Sequence, residues 1–237
     1  MAAGIGCNTM NKNDAANFLL FLQELRRHPI GRSLILFAAT STLPFNGPDG
    51  KPLSDVSGFA KVLDHINVMN YDVWGPWSPT VGPNAPLNDT CAATQNQAGS
   101  AVSAVHKWHA AGIPFRKIVL GVASYGRSFL VDKADAFAPG PIGLKGLIGP
   151  YPKFNAKAHP KGDSWDSDAG VDMCGNTVPP GGTLNFWELK QRGYIPPNGK
   201  LGIFFRYDNC SQTVGFFFFS VLVSQVFTTS FSHMYMI

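Results

Sequence analysis

Short apolar segments alternate with amphipathic segments through the first half of the chain. The apolar segments are residues 33–40 (SLILFAAT), 66–71 (INVMNY) and 118–123 (IVLGVA), and the amphipathic ones carry apolar side chains at 15–25, 56–63 and 98–108. The amphipathic segments have the three- and four-residue spacing of helices, and the apolar runs are typical of strands buried on both faces. Because parallel strands need a crossover that is usually helical, this alternation predicts a parallel α/β fold.

The amino-acid composition and the hydrophobic periodicity of the sequence change after residue 128. Residues 129–213 are rich in Pro, Gly, Asp and aromatic residues and lack long helical periodicity, which predicts an inserted α+β lobe after a first domain at 1–128. From Phe216 onward the chain has no Asp, Glu, Lys or Arg. We interpret residues 214–237 as an aberrant hydrophobic tail from a retained intron or a mistaken gene model, with a packed strand or helix as the alternative. Polar residues interrupt this run, so it does not favour a membrane span, which needs about 20 mostly apolar residues.

Charge and composition limit the ligands to be expected. The net charge is only +4, and the 19 Lys and Arg residues are scattered along the sequence. No basic stripe is therefore available for a phosphate backbone, and the sequence does not favour nucleic-acid binding. The combination of 12% aromatic and 14% charged residues suits a neutral ligand such as a sugar.

The cysteines indicate disulfides rather than a metal centre. The four are Cys7, Cys91, Cys174 and Cys210. They form no CxxC pair and no Cys/His ligand set, so we expect no metal, no organic cofactor and two disulfides made in an oxidising compartment. Spacing alone leaves all three pairings open. The start of the chain lacks a basic segment followed by an apolar run, so we expect no signal peptide.

Four motifs occur in order in the middle of the chain. They are residues 69–72 (MNYD), 75–77 (GPW), 84–87 (NAPL) and 121–128 (GVASYGRS). Together they resemble glycoside hydrolase family 18, the fungal-type chitinases, over roughly residues 4–212. The resemblance implies an incomplete (β/α)8 TIM barrel holding about strands five to seven, with an α+β lobe inserted after the seventh strand.

The resemblance also implies roles for individual residues. Family 18 chitinases hydrolyse β-1,4-linked N-acetylglucosamine polymers by a substrate-assisted retaining mechanism, in which the acetamide oxygen of the substrate attacks the sugar. Tyr71 would hydrogen-bond that oxygen, and Asp72 would orient either the acetamide or the catalytic acid. Met69 would form part of an apolar floor, and Trp77 would stack on a sugar ring.

Tyr125 and Arg127 occupy the end of the seventh-strand motif. They are candidates for sugar contacts, with an aromatic plug and a structural ion pair as the alternative interpretation.

The proton donor of the family is not among these residues. It is the Glu of an Asp-x-x-Asp-x-Asp-x-Glu segment on the fourth strand, which is expected just upstream of residue 4. The chain has only Glu24 and Glu188, and neither follows a buried strand with flanking aspartates. Residues 163–168 reproduce the aspartate spacing but have Gly170 where the acid would stand. We therefore assign no catalytic residue.

The eighth strand is also not recognisable in the sequence. Open strand edges favour association, so the chain is expected to be a marginally stable monomer or to be aggregation-prone.

Three hypotheses follow. The first is an extracellular chitinase-family protein whose 237-residue product does not hydrolyse chitin. The second is a non-catalytic lectin for chitin or N-acetylglucosamine oligosaccharides. The third, a membrane-anchored cell-wall protein, depends wholly on residues 216–237.

Overall fold

The computed structural model describes residues 7–9, 11–137, 149, 151–195, 205–218 and 221–226. Contacts divide the chain into two compact units. Of the described residues, those up to Asn70 together with Ala101–Gly121 form the first unit, and Tyr71–Ser100 together with those from Val122 onward form the second.

The first unit is a parallel α/β structure. Its helices and strands are α1 (Asp14–Arg27), α2 (Pro29–Ser33), β1 (Phe37–Thr40), α3 (Ser57–Val62), β2 (His65–Val68), α4 (Ala101–Ala110) and β3 (Ile118–Leu120). The strands are parallel in the order β1-β2-β3, with Ile66 opposite both Ala38 and Ile118. The predicted α/β alternation is confirmed.

Apolar side chains from the helices cover this sheet. Trp108 and Ala104 of α4 and Phe59 of α3 are buried with Ile66 and Val68 of β2. A buried indole still needs a partner for its N–H group, and Trp108 Nε1 donates to a backbone carbonyl 3.0 Å away. This core fixes the end of β2, immediately before the MNYD motif.

The strands are shorter than the apolar runs predicted. Residues 33–40 were expected to be one strand, but Pro29 starts a short helix that extends to Ser33, and the strand begins only at Phe37. Proline suits the first turn of a helix because its missing N–H is not needed there. β2 ends at Val68 and β3 at Leu120, although single backbone hydrogen bonds continue one residue beyond each.

The second unit is built on an antiparallel sheet. Its helices and strands are β4 (Tyr125–Leu130), α5 (Lys133–Ala136), β5 (Gly170–Val171), β6 (Thr177–Val178), β7 (Thr183–Asn185), α6 (Phe186–Gln191), β8 (Phe205–Asp208), β9 (Thr213–Phe218) and β10 (Val221–Val226). Five strands pair in the order β7-β4-β10-β9-β8, and β5 pairs with β6 alone. The sheet packs Leu184, Leu189, Val214 and Phe216 into one apolar cluster.

The sheet runs across the predicted domain boundaries. β4 spans residue 128, and β9 and β10 lie within the segment interpreted as a tail, with Val221 opposite both Leu130 and Phe218. Hydrogen bonding to β4 and burial of Val214 link segments on either side of 128/129 and 213/214, and the division into domains at these points stays a prediction. Residues 219–220 and 227–237 of the tail lie outside the described residues. Within the described part, no helix has the length and apolar composition needed to cross a bilayer.

Candidate functional site

A buried asparagine sets the backbone around the MNYD motif. Asp72 has a left-handed backbone conformation, with φ of 55°. Its N–H donates to Asn84 Oδ1 at 3.1 Å, and Asn84 Nδ2 donates to the backbone oxygen of Tyr125 at 3.0 Å. Asn84 is fully buried, so it holds the Asp72 turn against the first residue of β4. The sequence contained Asn84 within the NAPL motif, but no role could be assigned to it.

Two side chains of β4 donate to a single carboxylate oxygen. Tyr125 and Arg127 are two residues apart and therefore share one face of the strand. The Tyr125 hydroxyl lies 2.8 Å from Asp72 Oδ1, and Arg127 Nε and Nη2 lie 2.9 and 2.6 Å from the same oxygen. Among the described residues, Asp72 Oδ2 accepts no hydrogen bond. The carboxylate is thus fixed through one oxygen and open at the other.

The Arg127 guanidinium also hydrogen-bonds to the segment predicted to be an inserted lobe. Its Nη1 donates to the Gly181 oxygen at 3.1 Å, and its side chain is mostly buried in an ion pair with the partly exposed Asp72. Tyr125 is half-buried, and this desolvation, together with the nearby Asp72 carboxylate, raises the pKa of its hydroxyl well above the usual value. Tyr125 therefore stays a neutral donor throughout the physiological pH range.

Two further aromatic residues complete this group. The Tyr71 ring meets the Tyr125 ring edge-on, with 6.2 Å between centroids. The Arg127 guanidinium lies 5.3 Å from the centre of the Trp77 ring, and Trp77 is 62% exposed. We call Tyr71, Asp72, Trp77, Tyr125 and Arg127 the Asp72 cluster. The structure thus brings together five of the six residues proposed from sequence.

Met69 is the sixth of these residues. It belongs to the first compact unit, where its N–H donates to the Thr40 oxygen of β1 at 2.8 Å. Its side chain is 37% exposed. Its role as an apolar floor stays a prediction.

The two glutamates have local partners. Glu24 is exposed on α1 and pairs with Arg27. Glu188 lies on α6 and pairs with Arg192, whose Nε is 2.6 Å from Glu188 Oε1. Both are i,i+3 or i,i+4 helix pairs, which stabilise a helix modestly.

The aspartates of residues 163–168 support a loop. Asp163 is buried and accepts the backbone N–H groups of Trp165 and Asn185. Asp166 accepts the N–H groups of Gly162, Gly182 and Thr183 at 2.8 to 3.0 Å. These two carboxylates accept the backbone N–H groups of a tight loop. The spacing of the aspartates therefore has a structural role here.

The described cysteines and other potential metal ligands are used in other ways. Cys91 and Cys210 form a disulfide, with 5.6 Å between their Cα atoms, and none of the four cysteines is a free thiol. In the described ranges, His, Cys, Asp and Glu side chains nowhere form a group of three able to hold a metal ion.

Comparison with known proteins identifies the family. The chain belongs to glycoside hydrolase family 18, because the model described as Glycosyl hydrolases family 18 matches residues 5–216. Chitinase-like effectors from Moniliophthora perniciosa and Moniliophthora roreri are each 53% identical over 210 residues, which is 89% of this chain and 47% and 50% of the relatives. The chain therefore spans about half the length of these relatives.

Solved chitinases share the fold. A chitinase from Rhizomucor miehei superposes with a TM-score of 0.79 at 31% identity, covering 95% of this chain and 59% of the other. A class V chitinase from Nicotiana tobaccum, 23% identical, superposes with a TM-score of 0.63 over 93% of this chain and 55% of its own, and one structure of a mutant of that protein is a complex with NAG4.

Proposed function

We propose that this polypeptide binds chitin oligosaccharides through the Asp72 cluster and does not hydrolyse them. The observation that carries the proposal is the convergence of Tyr125 and Arg127 on Asp72 Oδ1, which leaves Oδ2 without a hydrogen-bond partner among the described residues. A fixed carboxylate with one open oxygen suits an amide N–H donor. The acetamide of N-acetylglucosamine provides such a donor.

Tyr71 would hold the other end of the acetamide. Its hydroxyl makes no hydrogen bond within the described part of the chain, while its ring packs on Tyr125. A phenol O–H can donate to the acetamide oxygen while Asp72 Oδ2 accepts from the acetamide nitrogen. This pair of contacts would distinguish N-acetylglucosamine from glucose.

Trp77 would provide the apolar contact with the sugar. Arg127 covers one face of its ring, so a sugar is expected on the opposite face. An indole face matches the C–H face of a pyranose, and such stacking contributes about 0.5 to 1.5 kcal/mol.

The first unit fits the corresponding part of a barrel. β1, β2 and β3 are parallel, adjacent and in chain order, as three consecutive strands of a (β/α)8 barrel would be. We propose that they are strands five to seven. The superposition on the Rhizomucor miehei chitinase supports this placement.

Among the described residues we assign no proton donor, and this separates the proposed binding from hydrolysis. Substrate-assisted cleavage still needs an acid to protonate the leaving oxygen. Glu24 and Glu188 are engaged in helix ion pairs, and Asp163 and Asp166 are engaged by backbone N–H groups. We therefore expect no turnover from this polypeptide.

We also propose an extracellular location for the protein. The Cys91–Cys210 disulfide supports this location, because disulfides form and persist in oxidising compartments.

Calorimetric titration with N-acetylglucosamine tetramer, run beside a hydrolysis assay, tests the proposal. We expect saturable binding without release of shorter products, and at least about a tenfold loss of affinity in Asp72→Asn, because a charged hydrogen bond contributes ~1.5 to 3 kcal/mol. Asp135→Asn, an exposed carboxylate of α5, is the matched control. Absence of binding by the wild-type chain would contradict the proposal.

Hydrolysis by this chain is the competing function. It is favoured by the solved Rhizomucor miehei chitinase, which covers 95% of the chain at 31% identity. Release of oligosaccharide from chitin by the purified polypeptide would establish it and would refute our interpretation of the carboxylates.

A further inference from the structure

Two segments of the second unit have the sequence pattern of acceptors for asparagine-linked glycans. Residues 88–90 (NDT) and 209–211 (NCS) both match Asn-x-Ser/Thr with x other than Pro. The first segment directly precedes Cys91 and the second contains Cys210, so both lie beside the same disulfide. Three-residue patterns recur by chance in long chains, so the local geometry has to decide between the two segments.

In the first segment the threonine hydroxyl donates to the asparagine side chain. Asn88 Oδ1 accepts the N–H groups of Asp89 and Thr90 at 2.9 and 3.1 Å and the Thr90 hydroxyl at 3.1 Å. All these donors lie within two positions of Asn88, so the turn can form locally, before the chain has folded. The contacts occupy Oδ1. Nδ2, the atom to which a glycan is attached, makes no hydrogen bond within the described ranges.

The middle residue of this segment is buried, whereas its neighbours are accessible. Asp89 accepts the Gly99 N–H at 2.9 Å and the Ser100 hydroxyl at 2.7 Å. Asn88 is partly exposed and Thr90 is exposed. The folded chain therefore leaves room for a glycan on Asn88, beside a backbone that Asp89 and the neighbouring disulfide hold in place.

The second segment uses its hydroxyl differently. Ser211 is buried, and its hydroxyl contacts the Asp208 carboxylate and the Thr213 hydroxyl instead of the asparagine. Asn209 is exposed, but no hydrogen bond joins it to Ser211 within the part of the chain that the structure describes. Since Asp208 and Thr213 are close to Ser211 in sequence, this competing arrangement can also form locally. The geometry of an acceptor is thus present at the first segment and not at the second.

We propose that Asn88, in preference to Asn209, carries an asparagine-linked glycan in the secreted protein. This inference rests on the proposed extracellular location and not on the proposed sugar binding. The donor class is an oligosaccharide joined through its anomeric carbon to a lipid pyrophosphate. A bond forms between that carbon and Asn88 Nδ2, and the bond from the carbon to the pyrophosphate oxygen breaks. The oxygen keeps the electron pair, and one proton leaves the amide nitrogen.

Expression of the full chain behind a cleavable secretion signal in yeast tests the inference. Treatment of the reduced, digested protein with peptide N-glycosidase in heavy-oxygen water converts each glycosylated Asn to labelled Asp, which mass spectrometry detects at each site. We expect the labelled fraction of Asn88 to be several-fold higher than that of Asn209. Equal or greater labelling at Asn209, or an unlabelled Asn88, would overturn the inference.

Variants separate glycosylation from a structural role of the turn. Asn88→Asp keeps an oxygen that can accept the same donors but has no amide nitrogen, so it should retain the fold and lose the glycan. Thr90→Ser keeps the hydroxyl and should remain glycosylated, whereas Thr90→Val should lose the glycan. Asn96→Asp, a partly exposed asparagine outside both segments, is the matched control and should leave the labelling unchanged. A glycan that persists at residues 88–90 in Thr90→Val would count against the assigned role of the hydroxyl.

The outcomes are independent of those for sugar binding. Titration with N-acetylglucosamine tetramer can use unglycosylated chain made in the bacterial periplasm, where the disulfide can form. Binding by that chain would leave the proposed function standing even if Asn88 is never modified. An Asn88 glycan without sugar binding would leave only the inference standing. Retention of the protein inside its native host cell would overturn both the extracellular location and the glycan.

Discussion

Replacement of Asn84 should destabilise the second unit and weaken sugar binding together. Its side chain is fully buried, accepts the Asp72 N–H and donates to the Tyr125 oxygen. Asn84→Ala removes both bonds and leaves one partly buried donor and one partly buried acceptor without these partners. At about 1 to 3 kcal/mol for each of the two unsatisfied groups, we expect a loss of roughly 2 to 6 kcal/mol in the free energy of unfolding.

An isosteric variant separates the two hydrogen bonds. Asn84→Asp keeps an acceptor for the Asp72 N–H but places a carboxylate oxygen against the Tyr125 carbonyl. Burial beside a carbonyl raises the pKa of the introduced carboxyl above its unfolded value, since both effects disfavour the charged form. The destabilisation should therefore be largest at neutral pH, should lessen as the pH falls through the raised folded pKa, and should be smallest below the unfolded pKa of about 3.9, where the protonated group can donate.

Urea unfolding followed by tryptophan fluorescence, at pH 7 and at pH 3.5, measures these effects. Titration with N-acetylglucosamine tetramer measures whether Asp72 is still held in place. Asn155→Ala is the matched control, because Asn155 is exposed and accepts only a local N–H, so its loss should cost less than about 0.5 kcal/mol. Wild-type stability and affinity in Asn84→Ala would refute the argument that Asn84 fixes the Asp72 turn.

Three further predictions concern the rest of the chain. The Leu36 N–H and the Arg26 guanidinium hold the pKa of Asp64 below its usual value. Asp64→Asn should therefore lower the free energy of unfolding by up to about 1 kcal/mol at pH 7. Urea unfolding should show this difference disappear as the pH falls through the lowered pKa. Replacing both Cys91 and Cys210, which are 119 residues apart, by Ala should lower the stability of the second unit by about 2 to 5 kcal/mol, measured by urea unfolding; an unchanged midpoint would contradict this. Tyr125 has a raised pKa, so its stabilising contribution is present below the unfolded pKa of about 10 and is lost as the pH rises through the folded pKa. Ultraviolet titration should show one phenol that ionises at higher pH than the others, and Tyr125→Phe should remove this signal.

The sequence predicted the architecture of the first unit better than its boundaries. Apolar runs locate burial, and the runs at 66–71 and 118–123 do contain β2 and β3. The run at 33–40 combined the end of a helix with a strand, because apolar character does not distinguish the two conformations in short segments. Pro29 was the available signal that a new helix begins there.

The site residues were predictable in identity, whereas their contacts were not. The motifs singled out Tyr71, Asp72, Tyr125 and Arg127, but the convergence of donors on one oxygen joins residues 53 and 55 positions apart. No local pattern specifies such a contact.

In the segment that begins at Val214, amino-acid composition alone did not predict a strand. Four consecutive Phe residues suggest no periodicity, yet Val214 and Phe216, two residues apart, are both buried in β9. This spacing is the one expected for the inward face of a strand. Its pairing with β10, and the pairing of β10 with β4, depend on partners far away in the sequence.

The geometry of Asp72 is the physical basis of the proposal that this cluster binds a sugar without cleaving it. Tyr125 and Arg127 both donate to Oδ1, so this oxygen acts as an acceptor and has no proton to give. The guanidinium cannot be deprotonated in a protein, and the raised pKa of Tyr125 keeps its phenol neutral. The cluster thus consists of a fixed acceptor and permanent donors, which are suited to orienting an acetamide. Protonation of a leaving oxygen requires a proton donor in a different environment from that of Asp72. Under the proposed function, we therefore expect that no substitution within the Asp72 cluster alone produces turnover.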